Sequence, residues 1–242
     1  DTIVAAIAAA LTPATRFAVF DHVTSPSATI LPVARLARLC RERGIAVLID
    51  GAHAPGMLAL DIPAIGADWY TGNAHKWLFA PKVCGLLWCA PARQADLHPT
   101  AISHYYGQGM TLEFDWTGTR DVSPWLALRA AFEFLDRFGD AAVREHNHAM
   151  AVEAGQLLAR TLGTETAAPP SMLGAMASVR LPIAAPDADR AGARALQARL
   201  RDRHRIEAPV LALGGRYWLR VSAQIYNQKE DFERLAGVAR HF

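Results

Sequence analysis

The sequence is short of lysine. Of 25 lysine and arginine residues among 242, only Lys76, Lys82 and Lys229 are lysines, leaving 22 arginines. Two of the three fall in one stretch, TGNAHKWLFAPK at 71–82. Cysteine is equally scarce. Cys40, Cys84 and Cys89 form an odd set with no CxxC pair, which gives neither a disulfide scaffold nor a thiolate zinc site. No apolar run reaches the ~20 residues of a membrane span. With a net charge of +2 and no basic run, nothing directs the chain to nucleic acid or to an acidic membrane surface. A reducing cytoplasm is the simplest compartment for such a composition. The chain opens without methionine, inside a segment that reads as a helix (DTIVAAIAAALT), as the later part of a longer protein would.

What is present is an ordinary globular composition, 52% apolar and 20% charged. FAVFDHV at 17–23 and IAVLID at 45–50 are apolar runs of strand length, and LPVARLARLCRERG between them alternates as an amphipathic helix closed by Gly44. That strand–helix–strand unit marks a parallel sheet. ADWYTGN at 67–73 and VCGLLWC at 83–89 read as two more strands. A long helix is expected from Pro124 to Phe138, capped by Ser123 and closed by Gly139, then a second over 140–162. ASVRLPI and YWLRVSA read as strands, with helices over 187–203 and from Lys229. The pattern implies an α/β domain over 1–138 and a smaller α+β domain over 139–242.

In open α/β sheets the ligand crevice lies beyond the carboxyl ends of the strands. Asp50 ends one strand, His22 nearly ends another, and Asn-Ala-His-Lys at 73–76 follows a third. Lysine differs from arginine in that it can shed a proton and become a nucleophilic amine. Such an amine condenses with an aldehyde, the way pyridoxal phosphate is held as a Schiff base. That cofactor also needs a carboxylate facing its ring nitrogen, and Asp50 ends a neighbouring strand 26 residues before Lys76.

VLIDGAHAPG followed by TGNAHKWLFAPK resembles the class V aminotransferase family of pyridoxal phosphate enzymes, fold type I, and within it the isopenicillin N epimerase-like group. DHVTSPSATILPV, FDWTGTRD and WLRVSAQIYN extend the resemblance over essentially the whole chain. It implies the mostly parallel sheet of the family's large domain plus a smaller C-terminal α+β domain. Family members are considerably longer, so the N-terminal part of that fold, with its glycine- and threonine-rich phosphate loop, is expected to be absent here.

Residue by residue, the resemblance implies that Lys76 forms the Schiff base, Asp50 pairs with the ring nitrogen and His53 meets the phenolic oxygen. Asn73 and His75 match phosphate-binding positions. Thr119 resembles a threonine that reaches the phosphate of the neighbouring subunit, which implies a homodimer. Arg220 matches the arginine that grips a substrate carboxylate with its planar fork. Thr24 or Ser25 matches a position near the ring. The sequence departs from many relatives at Pro81-Lys82-Val83, where they carry Pro-Lys-Gly.

The resemblance implies an enzyme acting on an amino-acid-like small molecule, with reaction at the α-carbon. Reprotonation on the opposite face gives epimerisation, reprotonation at the cofactor gives transamination, and loss of a β-substituent gives a cysteine-type lyase. Overall similarity favours the first. A persulfide route is disfavoured, because Cys84 and Cys89 both fall in an apparent strand. The reading of another class is a truncated, non-catalytic binding or partner subunit. A metal set of Asp50, His53 and His75 leaves the lysine unexplained, so no metal is expected. His146 and His148, two apart in HNH, diverge on a helix and read as an exposed face.

Overall fold

In the computed structural model, which describes residues 1–184 and 187–241, α1 (Thr2–Ala10) is followed by β1 (Phe17–Asp21), α2 (Val33–Arg41) and β2 (Ala46–Gly51). The apolar residues Val33, Leu36, Ala37 and Cys40 of α2 recur at helical spacing and are all buried, while Arg35, Arg38 and Arg41 lie outside. Gly44 adopts φ 68°, and beyond it Ile45 N–H returns to the Cys40 carbonyl at 2.9 Å. The chain is thereby turned straight into β2.

β1 and β2 are parallel, with Asp21 beside Asp50. After α3 (Ile62–Ile65), β3 (Trp69–Asn73) adds in parallel on the other side of β2, with Asp50 beside Thr71 and Gly51 beside Gly72. α4 (Ala74–Trp77) follows at once, and β4 (Gly85–Cys89) returns antiparallel with Gly85 beside Asn73. The sheet order is β1-β2-β3-β4. Because its first three strands are parallel, Asp21, Asp50 and Asn73 share the carboxyl edge.

The single helix expected at 124–138 is two pieces. After α5 (Met110–Asp115), α6 (Ser123–Leu126) and α7 (Leu128–Asp136) are separated at Ala127. The indole N–H of Trp125 donates to the Gly85 carbonyl at 3.1 Å, which pins α6 to the start of β4. Ser123 is the first helical residue rather than the cap. Val122 is the cap residue, and Asp121 before it accepts from the Ser123 N–H at 2.9 Å and from its hydroxyl at 2.5 Å.

These elements, with α7 up to Phe134, make up the first of two units, Asp1–His22 with Pro32–Phe134; the second is Val23–Leu31 with the chain from Leu135 onward. The second unit holds α8 (Asp140–Leu162), β5 (Met176–Arg180), α9 (Arg190–His204), β6 (Val210–Leu213), β7 (Arg216–Ser222) and α10 (Lys229–Ala239). Its antiparallel sheet runs β5-β7-β6, and Leu158, Val179, Leu200, Leu219, Val221 and Leu235 are central to its core.

The HNH run is exposed only at His146, with His148 half-buried and Asn147 inside. Val143, Asn147, Ala151, Ala154, Leu158 and Leu162 form one buried stripe of α8, and Asn147 lies on it, its Nδ2 donating to Gln224 Oε1 at 2.8 Å. The segment Val23–Leu31 is held by the Ser178 hydroxyl donating to the Pro26 carbonyl and by Ile30 N–H donating to the Met172 carbonyl, each at 2.8 Å. Among the described residues, no helix is long and apolar enough to cross a membrane.

Candidate active site

In the first unit, the candidates gather where β2 and β3 end. Asp50 is the penultimate residue of β2, half-buried, and its Oδ1 accepts the Ala52 N–H at 2.9 Å, which closes the turn leading to His53. Asn73 ends β3, and the short helix α4 presents His75 and Lys76 immediately after it. Lys76 Nζ lies 3.5 Å from His53 Nε2. His53 Nδ1 accepts the indole N–H of Trp77 at 3.4 Å.

His75 Nδ1 lies 3.0 Å from the Cys84 carbonyl. A carbonyl only accepts, so Nδ1 carries the hydrogen, and Nε2 can donate to an anion only when the ring is an imidazolium. The Cys84 carbonyl also takes the Ala74 N–H at 3.0 Å, so both contacts fix α4 against the start of β4. Burial pushes the Cys84 and Cys89 thiols up, and both are buried, so neither is an activated nucleophile.

The opposite sheet face carries a pair that sequence reasoning missed. Buried His22 and Tyr70 meet at 2.9 Å between Nδ1 and the phenol oxygen. Burial lowers the His22 pKa to about 4, which keeps the imidazole neutral. Burial first, and then the Asp50 charge, raise the Tyr70 hydroxyl well above its ordinary range. The carboxyl of Asp21, beside Asp50, is raised by the same two causes in the same order.

Thr119 is exposed, in the loop between α5 and α6. Next to it, the Arg120 guanidinium stacks over Trp125 at 5.0 Å. A cavity of about 670 Å³ is lined by Thr71, Asn73, Thr117, Arg120 and Trp125 among others.

The second unit brings Ser25 and Arg220 together. Arg220 Nη1 donates to the Ser25 carbonyl at 2.7 Å and to its hydroxyl at 2.8 Å. The Arg220 Nε is buried without a hydrogen-bond partner, and no ion pair forms to this guanidinium among the described residues. Burial lowers its pKa. Thr24 is spent locally, its Oγ1 accepting the Thr29 N–H at 2.9 Å. Among the described residues, no group of three or more His, Cys, Asp or Glu side chains is arranged to hold a metal ion.

Trp77 and Ser178 also escaped the sequence reading. Trp77 carried a signal, an indole adjoining the lysine, but Ser178 carried none, since its partner Pro26 lies 152 positions away.

The family model described as aminotransferase class-V matches residues 2–235. The chain is 39% identical over 252 residues to an isopenicillin N epimerase of Streptomyces clavuligerus, covering 97% of this chain and 62% of that protein. It is 37% identical over 236 residues to a probable chloroplastic L-cysteine desulfhydrase of Arabidopsis thaliana, covering 91% and 49%. Among solved structures, the complex of the cystine C-S lyase C-DES with cysteine persulfide superposes with a TM-score of 0.77 at 22% identity, covering 99% of this chain and 65% of that one. The cysteine desulfurase CsdA of Escherichia coli superposes at 0.74 with 19% identity, covering 98% and 61%. These two share the fold. The chain spans about half to three-fifths of the length of the curated relatives named here.

Proposed function

The chain belongs to the class-V aminotransferase family, and from that premise we propose that it is part of a pyridoxal phosphate enzyme that epimerises an amino-acid-like substrate at its α-carbon. The observation that carries the reading is the contact of Lys76 Nζ with His53 Nε2, on the sheet edge where Asp50 stands next to last in its strand. The donor set suits the cofactor: one amine, one carboxylate, one imidazole and one amide, from Lys76, Asp50, His53 and Asn73. When bound, pyridoxal phosphate supplies an electron sink for a carbanion at the α-carbon.

Each side chain then has one task. Lys76 would hold the cofactor covalently through its amine, which a guanidinium cannot do, and the same amine is the group that can take the α-proton. Asp50 holds a proton on the ring nitrogen. His53 would offer a hydrogen bond to the phenolic oxygen, and Asn73, with His75 in its imidazolium form, would hold the phosphate. Arg220, a largely buried cation with its Nε unsatisfied, is matched by the carboxylate of an amino acid. Ser25 holds that guanidinium from the other side. Thr119 reaches the phosphate of a second copy, and the exposed Leu112, Trp116, Val122 and Leu126 around its loop favour a subunit contact there.

Relatives named L-cysteine desulfhydrase, at 36–37% identity, favour a second reading, a β-lyase that releases sulfide from cysteine. Such chemistry needs no cysteine nucleophile, in keeping with the buried Cys84 and Cys89. One experiment separates the readings. The protein is incubated with pyridoxal phosphate, reduced with borohydride and mapped by mass. It is then assayed in D₂O on a panel of amino acids with chiral and sulfide detection. Cofactor mass on Lys76 with deuterated, inverted product supports epimerisation, and sulfide from cysteine supports the lyase. Protein that never takes up the cofactor overturns both and leaves a non-catalytic partner.

A further inference from the structure

Two nitrogens that can both act as donors approach His53. The Trp77 indole N–H reaches Nδ1 at 3.4 Å, and Lys76 Nζ stands 3.5 Å from Nε2. An indole N–H has no lone pair to offer and can only donate. A neutral imidazole accepts at one ring nitrogen and donates from the other, and the hydrogen bond at the first nitrogen decides which is which. Nδ1 is therefore the accepting atom and Nε2 carries the hydrogen.

We propose that Trp77 is a positioning residue that fixes His53 in the Nε2–H tautomer, so that His53 faces Lys76 as a hydrogen-bond donor and not as a base. The inference rests on Lys76 and His53 being the cofactor-holding pair. It adds the direction in which their hydrogen bond runs.

The fold holds this arrangement from both sides. Trp77 is buried on α4, directly after Lys76. The turn that carries His53 lies close against α4 because Gly56, at φ 81°, has no side chain; a Cβ there would stand 2.7 Å from the Trp77 carbonyl oxygen. Two consequences follow. An Nε2–H is complementary to a lone pair, which the neutral amine of Lys76 or an anionic ligand oxygen provides, whereas an ammonium at Lys76 sets donor against donor. A proton can join His53 only at Nδ1, the atom the indole already occupies. The same contact thereby excludes His53 as a base toward Lys76.

The test is the tautomer itself, read by long-range ¹H–¹⁵N correlation of the imidazoles in the ¹⁵N-labelled chain without cofactor. The His53 signals are assigned by their loss in H53Q. Wild-type protein should show the Nε2-protonated pattern as the dominant neutral form. In W77F, with circular dichroism unchanged, the pattern should give way to a mixture of tautomers. An Nδ1-protonated ring in the wild type, or a wild-type pattern that persists in folded W77F, overturns the proposal. Should W77F fail to fold, the wild-type spectrum alone decides. Failure of the borohydride experiment would sink the cofactor reading while leaving this cofactor-free measurement intact.

Discussion

Tyr70 and His22 join hands across strand β2. The phenol of Tyr70, on β3, meets His22 Nδ1, just past the end of β1, at 2.9 Å, and its ring covers Gly51. His22 N–H also donates to the Asp50 carbonyl at 2.7 Å. The ends of β1 and β2 are thus tied to Tyr70 of β3 on one face of the sheet, while Asp50 projects from the other. The bare backbone of Gly51 makes the crossing possible: a Cβ there would lie 2.2 Å from the Tyr70 ring and hydroxyl.

Gly51→Ala should therefore be costly although alanine is small. The Tyr70 ring must move out of a packed layer, with an overpacking penalty of about 2 kcal/mol. Urea denaturation should show that loss, and cofactor uptake should fall with it because Asp50 is the adjoining residue. Wild-type stability in G51A would mean that Tyr70 is not held over this strand.

The neutral state of His22 gives acid sensitivity of a definite sign. Its pKa is about 4 in the folded protein against 6.5 as the ordinary value, so the unfolded chain binds the extra proton first. Stability from this group is complete above pH 6.5 and is lost as pH falls toward 4, by about 3 kcal/mol in all. The Asp21 carboxyl, raised by burial and by Asp50, has the opposite slope in acid, so the two must be separated by mutation. His22→Gln keeps a partner for the Tyr70 hydroxyl but does not titrate. Its unfolding free energy should be flatter than wild type between pH 6.5 and 4, and parallel curves would refute the assignment.

Much of this was legible in the chain, for identifiable reasons. The four strands of the first sheet announce themselves as apolar runs, and Asp50 and Lys76 stand out because strand ends expose side chains whose chemistry composition can weigh. Hydrophobic period reports burial and not partners, however. It missed that Asn147 is buried, because the partner of its Nδ2, Gln224, lies 77 positions on. It missed β6, whose four residues are too short for a periodic signal, although Leu213-Gly214-Gly215-Arg216 spells a hairpin turn with both glycines at positive φ. It predicted one helix where Trp125 pins the first turn to β4 and the chain breaks at Ala127. Long-range pairing decided each of these.

Arg220 and Ser25 predict a graded loss of substrate binding. Arg220→Lys retains the charge but removes the fork, and should lower kcat/KM by roughly tenfold to a hundredfold through KM, the range of a charge-assisted hydrogen bond. Ser25→Ala removes only the hydroxyl contact and leaves the carbonyl to hold Nη1, so its loss should be several-fold. The amine analogue lacking the carboxylate should be insensitive to both changes. Equal losses for acid and amine would move Arg220 from substrate binding to structure.

Lys76→Arg returns to the scarcity of lysine. Arginine is the basic residue this chain uses at 22 of 25 positions, so at a solvated position the exchange should be silent. Lys76 is exposed, and a substitution that keeps its charge costs the fold little. A guanidinium stays protonated and cannot condense with an aldehyde or take a proton from carbon. K76R should therefore match the wild-type Tm when both are measured without cofactor, lose all borohydride-fixed cofactor mass, and lose α-proton exchange by at least ~10³-fold, the scale of a missing general base. K82R, six residues on, should keep both. If K76R exchanges the α-proton as fast as wild type, the amine at position 76 is not the acting group.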